Sequence, residues 1–327
     1  MLNRKIQQTG GSSYIITLPK KWITQHNLKE RDEVGVYTRS TGELLINPNF
    51  SQRDYQRTLD VGALASDSIT QEVIALYIAG ADSIIITGWT ADDKKKYKVQ
   101  GVISSLVGFE IVEDTANKMV VQSVLSPHKI TFLQIVHQIC VMSQHMADEV
   151  IEAFLINDKV SAQSIMDRDI EVDKLYFLML RNFWALVQGK TTEEQTGSTL
   201  FRAIYYRKVA TQFERMADHA VKIAEIVKLN KQAPPPGFKN KFQQTADKIL
   251  PLLKQAISFS KDIKKEGAYG ALKVVNRTEA DISQLYKMAV KSDYLEAALA
   301  CDSLNRLRAY ASNIAEVTID LATLENK

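Results

Sequence analysis

The stretch FERMADHAVKIAE, Phe213 to Glu225, decides the fold of most of this chain, together with DRDIEVDKLY, Asp167 to Tyr176. Each stretch carries two acidic residues four positions apart, and these residues are Asp169, Asp173, Glu214 and Asp218. Residues at i and i+4 lie one above the other on a helix, where two like charges cost roughly 0.2–0.5 kcal/mol. Two such pairs beside apolar stripes predict facing helices whose carboxylates either enclose a cation or tolerate their repulsion in water.

The same spacing recurs near the end of the chain. LNRLRAYASNIAE, Leu304 to Glu316, keeps the apolar frame of the first stretch, and NRTEADISQLY, Asn276 to Tyr286, repeats the second. The acids are mostly lost: the counterparts of Glu214, Asp218, Asp173 and Asp169 are Asn305, Ala309, Ser283 and Glu279. The pattern predicts an internal repeat of helical units, with any metal site confined to the first copy.

These stretches resemble the PhoU family, whose domain consists of two three-helix repeats. ERMADHAVKIAE is similar to the family's LERxxDHAxNIAE pattern, and the resemblance covers roughly residues 127 to 327. It implies a role in controlling phosphate uptake and phosphate signalling, usually beside a phosphate transporter. It also implies metal binding, by an ion such as iron, zinc or magnesium, at Asp169, Asp173, Glu214 and Asp218.

The alternative for these acids is that they are solvated or neutralised by cations close in sequence. The candidate cations are Arg168, Lys174, Arg215 and Lys222. A di-iron carboxylate bundle would use Glu-x-x-His, whereas His219 follows Glu214 by five positions. We recognise no nucleophile–base constellation, so the sequence predicts no catalytic residues and no enzyme.

Helical periodicity predicts an all-α domain over residues 126–327, with repeats at about 126–233 and 238–327. Ser126-Pro127 predicts the first helix start, and Asn157-Asp158 its end. We expect a second helix to about Val187, the polar loop QGKTTEEQTG, and a third helix that ends before Pro234. Further breaks are expected at Glu266–Gly270 and near Lys291, and Pro251 predicts a kink or a late start in the fourth helix.

Residues 1–49 predict short strands around one small helix. A strand-like run covers Tyr14 to Pro19, KKWITQHNL follows as a helix, and two more strands join across Ser40-Thr41-Gly42. GGSSYIITLPKKWITQHNLKERDEVGVY resembles the AbrB/MazE-like swapped-hairpin DNA-binding domain. That resemblance implies a dimer with interleaved strands that presents basic loops to DNA.

The DNA contacts implied by this resemblance are Arg4, Lys5, Ser12, Ser13, Lys20, Lys21 and Arg39. Arginine and lysine would contact phosphates and fix position, whereas base reading would need further contacts. The alternative is that these side chains are ordinary solvated surface groups.

Residues 57–125 alternate strand and helix signals, which predicts a small α/β module with a helix opening at Ser68. The glycines form neither G-x-G-x-x-G nor a P-loop. Lys94, Lys95 and Lys96 are interpreted as a solvated helix face. We expect this module to be a spacer or a dimerisation element.

Composition bounds the remaining possibilities. The chain has 327 residues, 45% of them apolar and 24% charged, which is typical of a soluble globular protein with two or three domains. The net charge of +3 does not by itself imply nucleic-acid binding. We see neither a membrane span nor a signal peptide, and Cys140 and Cys301 are expected to be buried thiols in a cytoplasmic protein.

The sequence therefore predicts an α+β multidomain protein: a swapped-hairpin domain, an α/β module and an all-α PhoU-like bundle. The leading hypothesis is a homodimeric transcriptional regulator of phosphate homeostasis that binds DNA. The alternative is an adaptor or inhibitor of a phosphate ABC transporter ATPase, or of a signalling partner, that binds no DNA. A metal-dependent enzyme is a third and weaker option.

Overall fold

The structure, a computed structural model, describes residues 3–48, 55–89, 94–124, 130–259, 265–291 and 295–325. It divides into two compact units, Met1–Arg53 and Asp54–Lys327. The first unit is built from β hairpins, and the second combines a small α/β module with a helical bundle. This confirms the predicted class of N-terminal β hairpins followed by a largely helical chain.

The N-terminal unit contains two separate hairpins and one helix. Its elements are β1 (Gln7–Thr9), β2 (Ser13–Ile15), α1 (Lys20–Gln25), β3 (Gly35–Thr38) and β4 (Leu44–Asn47). β1 pairs with β2, and β3 pairs with β4, both antiparallel. α1 begins directly after Pro19, whose fixed φ suits a helix start. The turn of the second hairpin needs Gly42, which adopts φ +84° and donates to the Arg39 carbonyl at 2.9 Å.

The N-terminal unit encloses almost no core of its own. Among its described residues only Gly35 is buried. Large apolar side chains are open to solvent, including Tyr14 at 70%, Leu44 at 67% and Val36 at 58% exposure. Isolated two-stranded hairpins are at best marginally stable in water, so a single copy of this unit lacks the buried apolar surface needed to hold its fold.

The α/β module opens the second unit. Its elements are β5 (Gln56–Asp60), α2 (Ser66–Ile78), β6 (Ser83–Thr87), α3 (Lys94–Ser104), β7 (Phe109–Asp114) and β8 (Lys118–Ser123). The sheet order is β5-β6-β8-β7, with β5 and β6 parallel and the other pairs antiparallel. The module has its own core, which includes Ile69, Tyr77, Ile84 and Met119.

Two details of the module differ from expectation. α2 begins at Ser66 rather than Ser68, and Ala65 precedes it without a side-chain cap. The Lys94–Lys96 run is not a free solvated face. Lys95 donates to the Gly62 carbonyl at 2.6 Å, and Lys96 pairs with Asp114. These lysines therefore tie α3 to the sheet.

The helical bundle follows the module. Its helices are α4 (Phe132–Ile156), α5 (Lys159–Val187), α6 (Glu193–Thr196), α7 (Leu200–Leu229), α8 (Pro236–Phe259), α9 (Lys265–Lys291) and α10 (Leu295–Glu325). α4, α5 and α7 pack together as one triplet, and α8, α9 and α10 form the second. α7 also packs on α10, and both triplets share one apolar core. The predicted two three-helix repeats are confirmed.

The first bundle helix starts later than predicted. α4 begins at Phe132, and Ser126-Pro127 lies outside the described residues. The start is a capping box: the Thr131 hydroxyl accepts from the Gln134 amide at 3.3 Å, and Gln134 Oε1 accepts from the Thr131 amide at 2.9 Å. This T-x-x-Q signal was readable in the sequence.

Some of the other predicted helix boundaries agree with the structure and some do not. The α4–α5 turn falls as predicted, with Asn157 left-handed and Asp158 capping α5. The predicted break at Glu266–Gly270 is wrong, since these residues form the first turns of α9. Pro251 lies inside a single helix, α8, so the predicted late start is wrong. The predicted polar loop contains the short helix α6.

Candidate functional site

Helices α5 and α7 bring the predicted acidic pairs to the edge of their buried stripes. The stripe predicted for α7 is buried throughout, and it comprises Phe213, Met216, Ala217, Ala220, Ile223, Ala224 and Val227. On α5, Val172 and Met179 are buried in the same core. The four acids beside these stripes are half-buried. Packing of the apolar stripes thus determines where the carboxylates lie.

The four carboxylates lie close enough for the charge of one to affect the pKa of another. Burial, followed by repulsion from Asp173 and Asp218, raises the pKa of Asp169 to about 7. Burial and Asp218 raise the pKa of Asp173 to about 6. Burial, then Asp218 and Asp173, raise the pKa of Glu214 to about 7. Because each of these repulsions includes a carboxylate of the facing helix, α5 and α7 form one acidic cluster.

Nearby cations do not neutralise this cluster by direct pairing. Arg168 is engaged by Glu149 in a two-pronged ion pair, and Lys174 pairs with Glu171 at 2.8 Å. Within the described part of the chain, none of the four acids accepts a hydrogen bond or forms an ion pair. The expectation that Arg168 and Lys174 relieve these acids is therefore wrong.

Arg215 and Lys222 act only through space. Burial raises the pKa of Asp218, and the charges of Lys222 and Arg215 oppose that rise. Both cations are exposed on the outer side of α7. They weaken the repulsion among the carboxylates without forming, within the described residues, an ion pair with any of them. The acidic cluster therefore keeps negative charge that a further cation would neutralise.

The chemistry of the donors suits a hard divalent cation, which prefers carboxylate oxygens. The described side chains nevertheless do not form a ready coordination shell: no three His, Cys, Asp or Glu residues among them are placed to hold a metal ion. The acidic cluster fits a metal by donor type and by its unpaired charge. A bound ion would have to draw the carboxylates closer together.

The second repeat has a contact made by an arginine in place of this acidic cluster. Arg308 of α10 donates to the Val275 carbonyl of α9 at 3.0 Å and to the Asn305 side chain at 3.0 Å. In the repeat frame Asn305 corresponds to Glu214, and Arg308 corresponds to Ala217. An arginine thus bridges the two helices where the first repeat has a small residue beside acids.

Sequence reasoning missed Tyr310, which joins the acidic cluster from the second repeat. Burial raises the pKa of Tyr310, Arg215 and Arg306 lower it, and the charges of Asp218 and Glu214 raise it further. The repeat frame pairs Tyr310 with His219, and their rings lie 5.8 Å apart where α7 meets α10. That frame was the signal by which Tyr310 could have been found.

The raised pKa values make a stability prediction for the metal-free protein. A carboxyl whose folded pKa is raised binds its proton more tightly when folded, so its contribution to stability is fully present at low pH. That contribution declines as the pH rises from about 4, the unfolded pKa, through about 7. We expect Asp169→Asn to raise Tm at pH 8 by roughly 3–6 °C, equivalent to about 1–2 kcal/mol, and to leave Tm at pH 4 nearly unchanged.

The measurement is thermal unfolding in chelator across this pH range. Glu279→Gln, the equivalent neutralisation in the second repeat, is the matched control because Glu279 is exposed and no such cluster surrounds it. Equal Tm gains for Asp169→Asn at both pH values would show that burial of charge is not the cause.

The predicted DNA-contacting residues lie on the surface of the N-terminal unit. Lys20 and Lys21 open α1, Ser12 lies in the β1–β2 turn, and Ser13 starts β2. Arg4 and Lys5 precede β1. All six are exposed, and within the described residues their cations form no ion pair.

Arg39 differs from the other predicted DNA contacts. It precedes the turn of the β3–β4 hairpin and pairs with Glu43 at 3.8 Å, and 29% of its side chain is exposed. Its charge is partly engaged inside its own hairpin, so Arg39 is the least available of the predicted cations.

Two family models match parts of this chain. Residues 136–227 match the PhoU domain, and residues 7–49 match the antidote-toxin recognition MazE bacterial antitoxin family. The crystal structure of PhoU from Pseudomonas aeruginosa superimposes with a TM-score of 0.51 at 18% identity, covering 58% of this chain and 94% of that one. The first three-helix repeat of the bundle thus matches the PhoU domain, and the fold of the bundle is similar to that of PhoU. A MazE-like segment precedes it.

A curated relative extends the comparison. The phosphate-specific transport system accessory protein PhoU homolog of Zymomonas mobilis is 23% identical over 193 residues, which span 58% of this chain and 74% of the relative. Within the described residues, no helix has the length and apolarity to cross a membrane.

Proposed function

We propose that this chain is a DNA-binding regulator of phosphate uptake, in which the MazE-like unit binds DNA and the PhoU domain responds to phosphate status. The observation that carries the proposal is the combination, in one chain, of a MazE-like segment bearing exposed unpaired cations with a PhoU domain. The name of the curated relative supports the link to phosphate transport.

The test is a footprinting and mobility-shift assay on the promoter region of the chain's own gene. Salt-sensitive binding at a defined site is expected, because phosphate contacts by lysine and arginine release counterions. Absence of any salt-dependent shift with a correctly folded preparation would contradict the DNA-binding half of the proposal.

A second candidate is an accessory protein that acts on a phosphate ABC transporter ATPase, or on a signalling partner, without binding DNA. It is favoured by the 193-residue match to a relative whose name describes a phosphate-specific transport system accessory protein. Co-purification with the transport ATPase, combined with absence of DNA binding, would select this candidate.

We propose further that Asp169, Asp173, Glu214 and Asp218 hold a metal ion. The support is their half-buried, mutually repelling and unpaired arrangement, together with an oxygen-only donor set. A bound cation would supply charge neutralisation between α5 and α7 rather than a reaction, since we propose a regulator and not an enzyme.

The N-terminal unit is proposed to form a homodimer whose second copy covers its apolar side chains. The support is the near absence of buried residues in one copy beside Tyr14, Val36 and Leu44, all more than half exposed. Exposed apolar side chains beside almost no core are the kind of surface that a partner covers.

We expect Val36→Asp to convert the dimer to a monomer, because a charge buried between two copies without a partner is strongly unfavourable. Sedimentation velocity of the full chain would measure this. Val160→Asp is the matched control, since Val160 is 81% exposed but lies in the helical bundle. A wild-type monomer, or a Val36→Asp dimer, would contradict the proposal.

A further inference from the structure

The C-terminal end of α5 contacts the α/β module through a cluster of charged and aromatic side chains. This junction cluster consists of Tyr55, Arg57 and Asp82 from the module, and Arg181 and Lys190 from the bundle side. All five residues belong to the same compact unit. Arg181 and Lys190 lie within the stretch that matches the PhoU domain, and the proposed metal site involves none of the five residues.

Part of the junction cluster is structural. Arg181 donates to the Tyr77 carbonyl, near the end of α2, at 2.7 Å and lies 3.7 Å from Asp82. The other oxygen of Asp82 accepts from the Tyr55 amide at 3.0 Å. The side chain of Arg181 is only 11% exposed. Asp82 is thus committed on both oxygens, and Arg181 caps α2 and locks the module to α5.

Two further cations, Arg57 and Lys190, lie beside the contact that Arg181 makes with Asp82. Neither of them is paired with a carboxylate in the described part of the chain. Arg57 Cζ lies 3.9 Å and Lys190 Nζ lies 4.3 Å from the centre of the Tyr55 ring. Their charged groups are therefore within about 8 Å of each other. Arg57 also donates to the Tyr55 hydroxyl, and Lys190 reaches the Gly80 carbonyl at 3.4 Å. Among the described residues neither cation forms an ion pair.

The local charge is unbalanced toward the positive. Burial lowers the pKa of Lys190, Asp82 and Tyr55 oppose that change, and the charges of Arg181 and Arg57 lower the pKa further. The charges of two arginines thus act on Lys190, and Asp82 is the single carboxylate that acts on it. A like-charged group of this kind is relieved by an anion.

We propose that Arg57, Lys190 and the Tyr55 hydroxyl bind a small oxyanion, either inorganic phosphate or a phosphate monoester, at the junction between the α/β module and α5. The arginine fork suits two oxygens of a phosphate, the lysine adds a point charge, and the phenol adds a neutral donor. The lock made by Arg181 and Asp82 holds the two free cations in place before the anion arrives.

This junction site lies beyond the C-terminal end of the helix that carries half of the acidic cluster. α5 carries Asp169 and Asp173 near its middle, and Lys190 follows the last residue of α5, Val187, by three positions. Any role of the oxyanion in phosphate sensing rests on the proposed function. The binding itself rests only on the junction cluster and is measured separately.

The experiment is calorimetric titration of the full chain with inorganic phosphate, and in a second arm with glycerol phosphate, at fixed ionic strength in chloride. Saturable binding is expected for the wild type. Arg57→Gln and Lys190→Gln should each weaken it by about tenfold or more, since each removes a charge-assisted hydrogen bond. Lys98→Gln is the matched control, because Lys98 is an exposed lysine of α3 in the same module. Thermal unfolding checks that every variant is folded.

Each outcome decides the proposal. Stronger binding in the phosphate arm identifies the free ion, and stronger binding in the ester arm identifies a phosphorylated metabolite. No saturable binding by the wild type overturns the proposal, as does binding that neither Arg57→Gln nor Lys190→Gln weakens. Equal weakening by Lys98→Gln would show only unspecific attraction and would also overturn it. Retained DNA binding in a chain that ignores phosphate would separate failure of this site from failure of the proposed function.

Discussion

Replacing Lys20 and Lys21 with glutamate should lower the affinity for promoter DNA by about 10³-fold in 0.1 M salt, if the chain binds as a dimer. The estimate assumes that each lysine contacts one phosphate, so that a dimer loses four contacts, and each contact contributes roughly 0.9 to the slope of log K against log salt. The slope itself should fall by about 4, which a change in fold alone would not produce.

The matched control is Lys29→Glu. Lys29 is an exposed lysine of the same unit, and it lies after α1 rather than at its start. We expect at most a few-fold loss from it, so that two such substitutions would not reproduce the effect of the Lys20/Lys21 pair. Fluorescence anisotropy across a salt series measures both quantities. A Lys20→Glu/Lys21→Glu chain that binds like the wild type would remove α1 from the DNA interface.

This control separates local contacts from net charge. The chain as a whole carries only +3, so any DNA affinity must come from where its cations lie. α1 is well placed for that purpose because Lys20 and Lys21 are exposed at its start while Trp22 and Ile23 turn partly inward. Arg39→Gln should matter less than either lysine, because Glu43 already occupies the Arg39 side chain.

Much of the helical bundle could be predicted because a single periodic signal controls it. The apolar stripe around Met216 and Ile223 determines which face of α7 is buried. The acids at the edge of that stripe must then lie at the boundary between the core and the solvent. Their convergence with Asp173 follows from the same packing. The start of α4 depends on a local hydrogen bond at Thr131, which the helical periodicity alone does not locate.

The remainder depends on contacts between residues distant in the chain. The sequence alone could not show that Arg168 pairs with Glu149 rather than with the acidic cluster, because Glu149 lies on another helix, α4. The Arg308 bridge to the Val275 carbonyl likewise joins residues that are distant in the chain and lie on two helices. The junction of Arg181 with Tyr77 spans two folding modules and has no local signature.

Binding of a cation by the acidic cluster should have a large effect on the thermal stability of the protein. Adding Mn²⁺ to chelator-treated protein at pH 7.5 should raise Tm by roughly 5–10 °C at an ion concentration about 100-fold above Kd, equivalent to about 2.7 kcal/mol. The ion would offset the burial of charge and the repulsion from Asp218 and Asp173 that together raise the pKa of Glu214 to about 7. It would gain most where the carboxylates are ionised, so the rise should shrink as the pH falls below about 6.

Asp173→Asn combined with Glu214→Gln should abolish this rise, because the double variant removes one ligand from each of α5 and α7. It should also unfold at a higher temperature than the wild type in chelator, since it relieves the repulsion without any metal. Glu279→Gln in the second repeat is the control and should keep the full response to Mn²⁺. The combination is discriminating: a double variant that is more stable without metal and unresponsive to it requires a cluster strained by its own charge. A different result would contradict metal binding. If Mn²⁺ does not change the Tm of the wild type but the two substitutions still raise it, the acids repel one another in water and hold no cation.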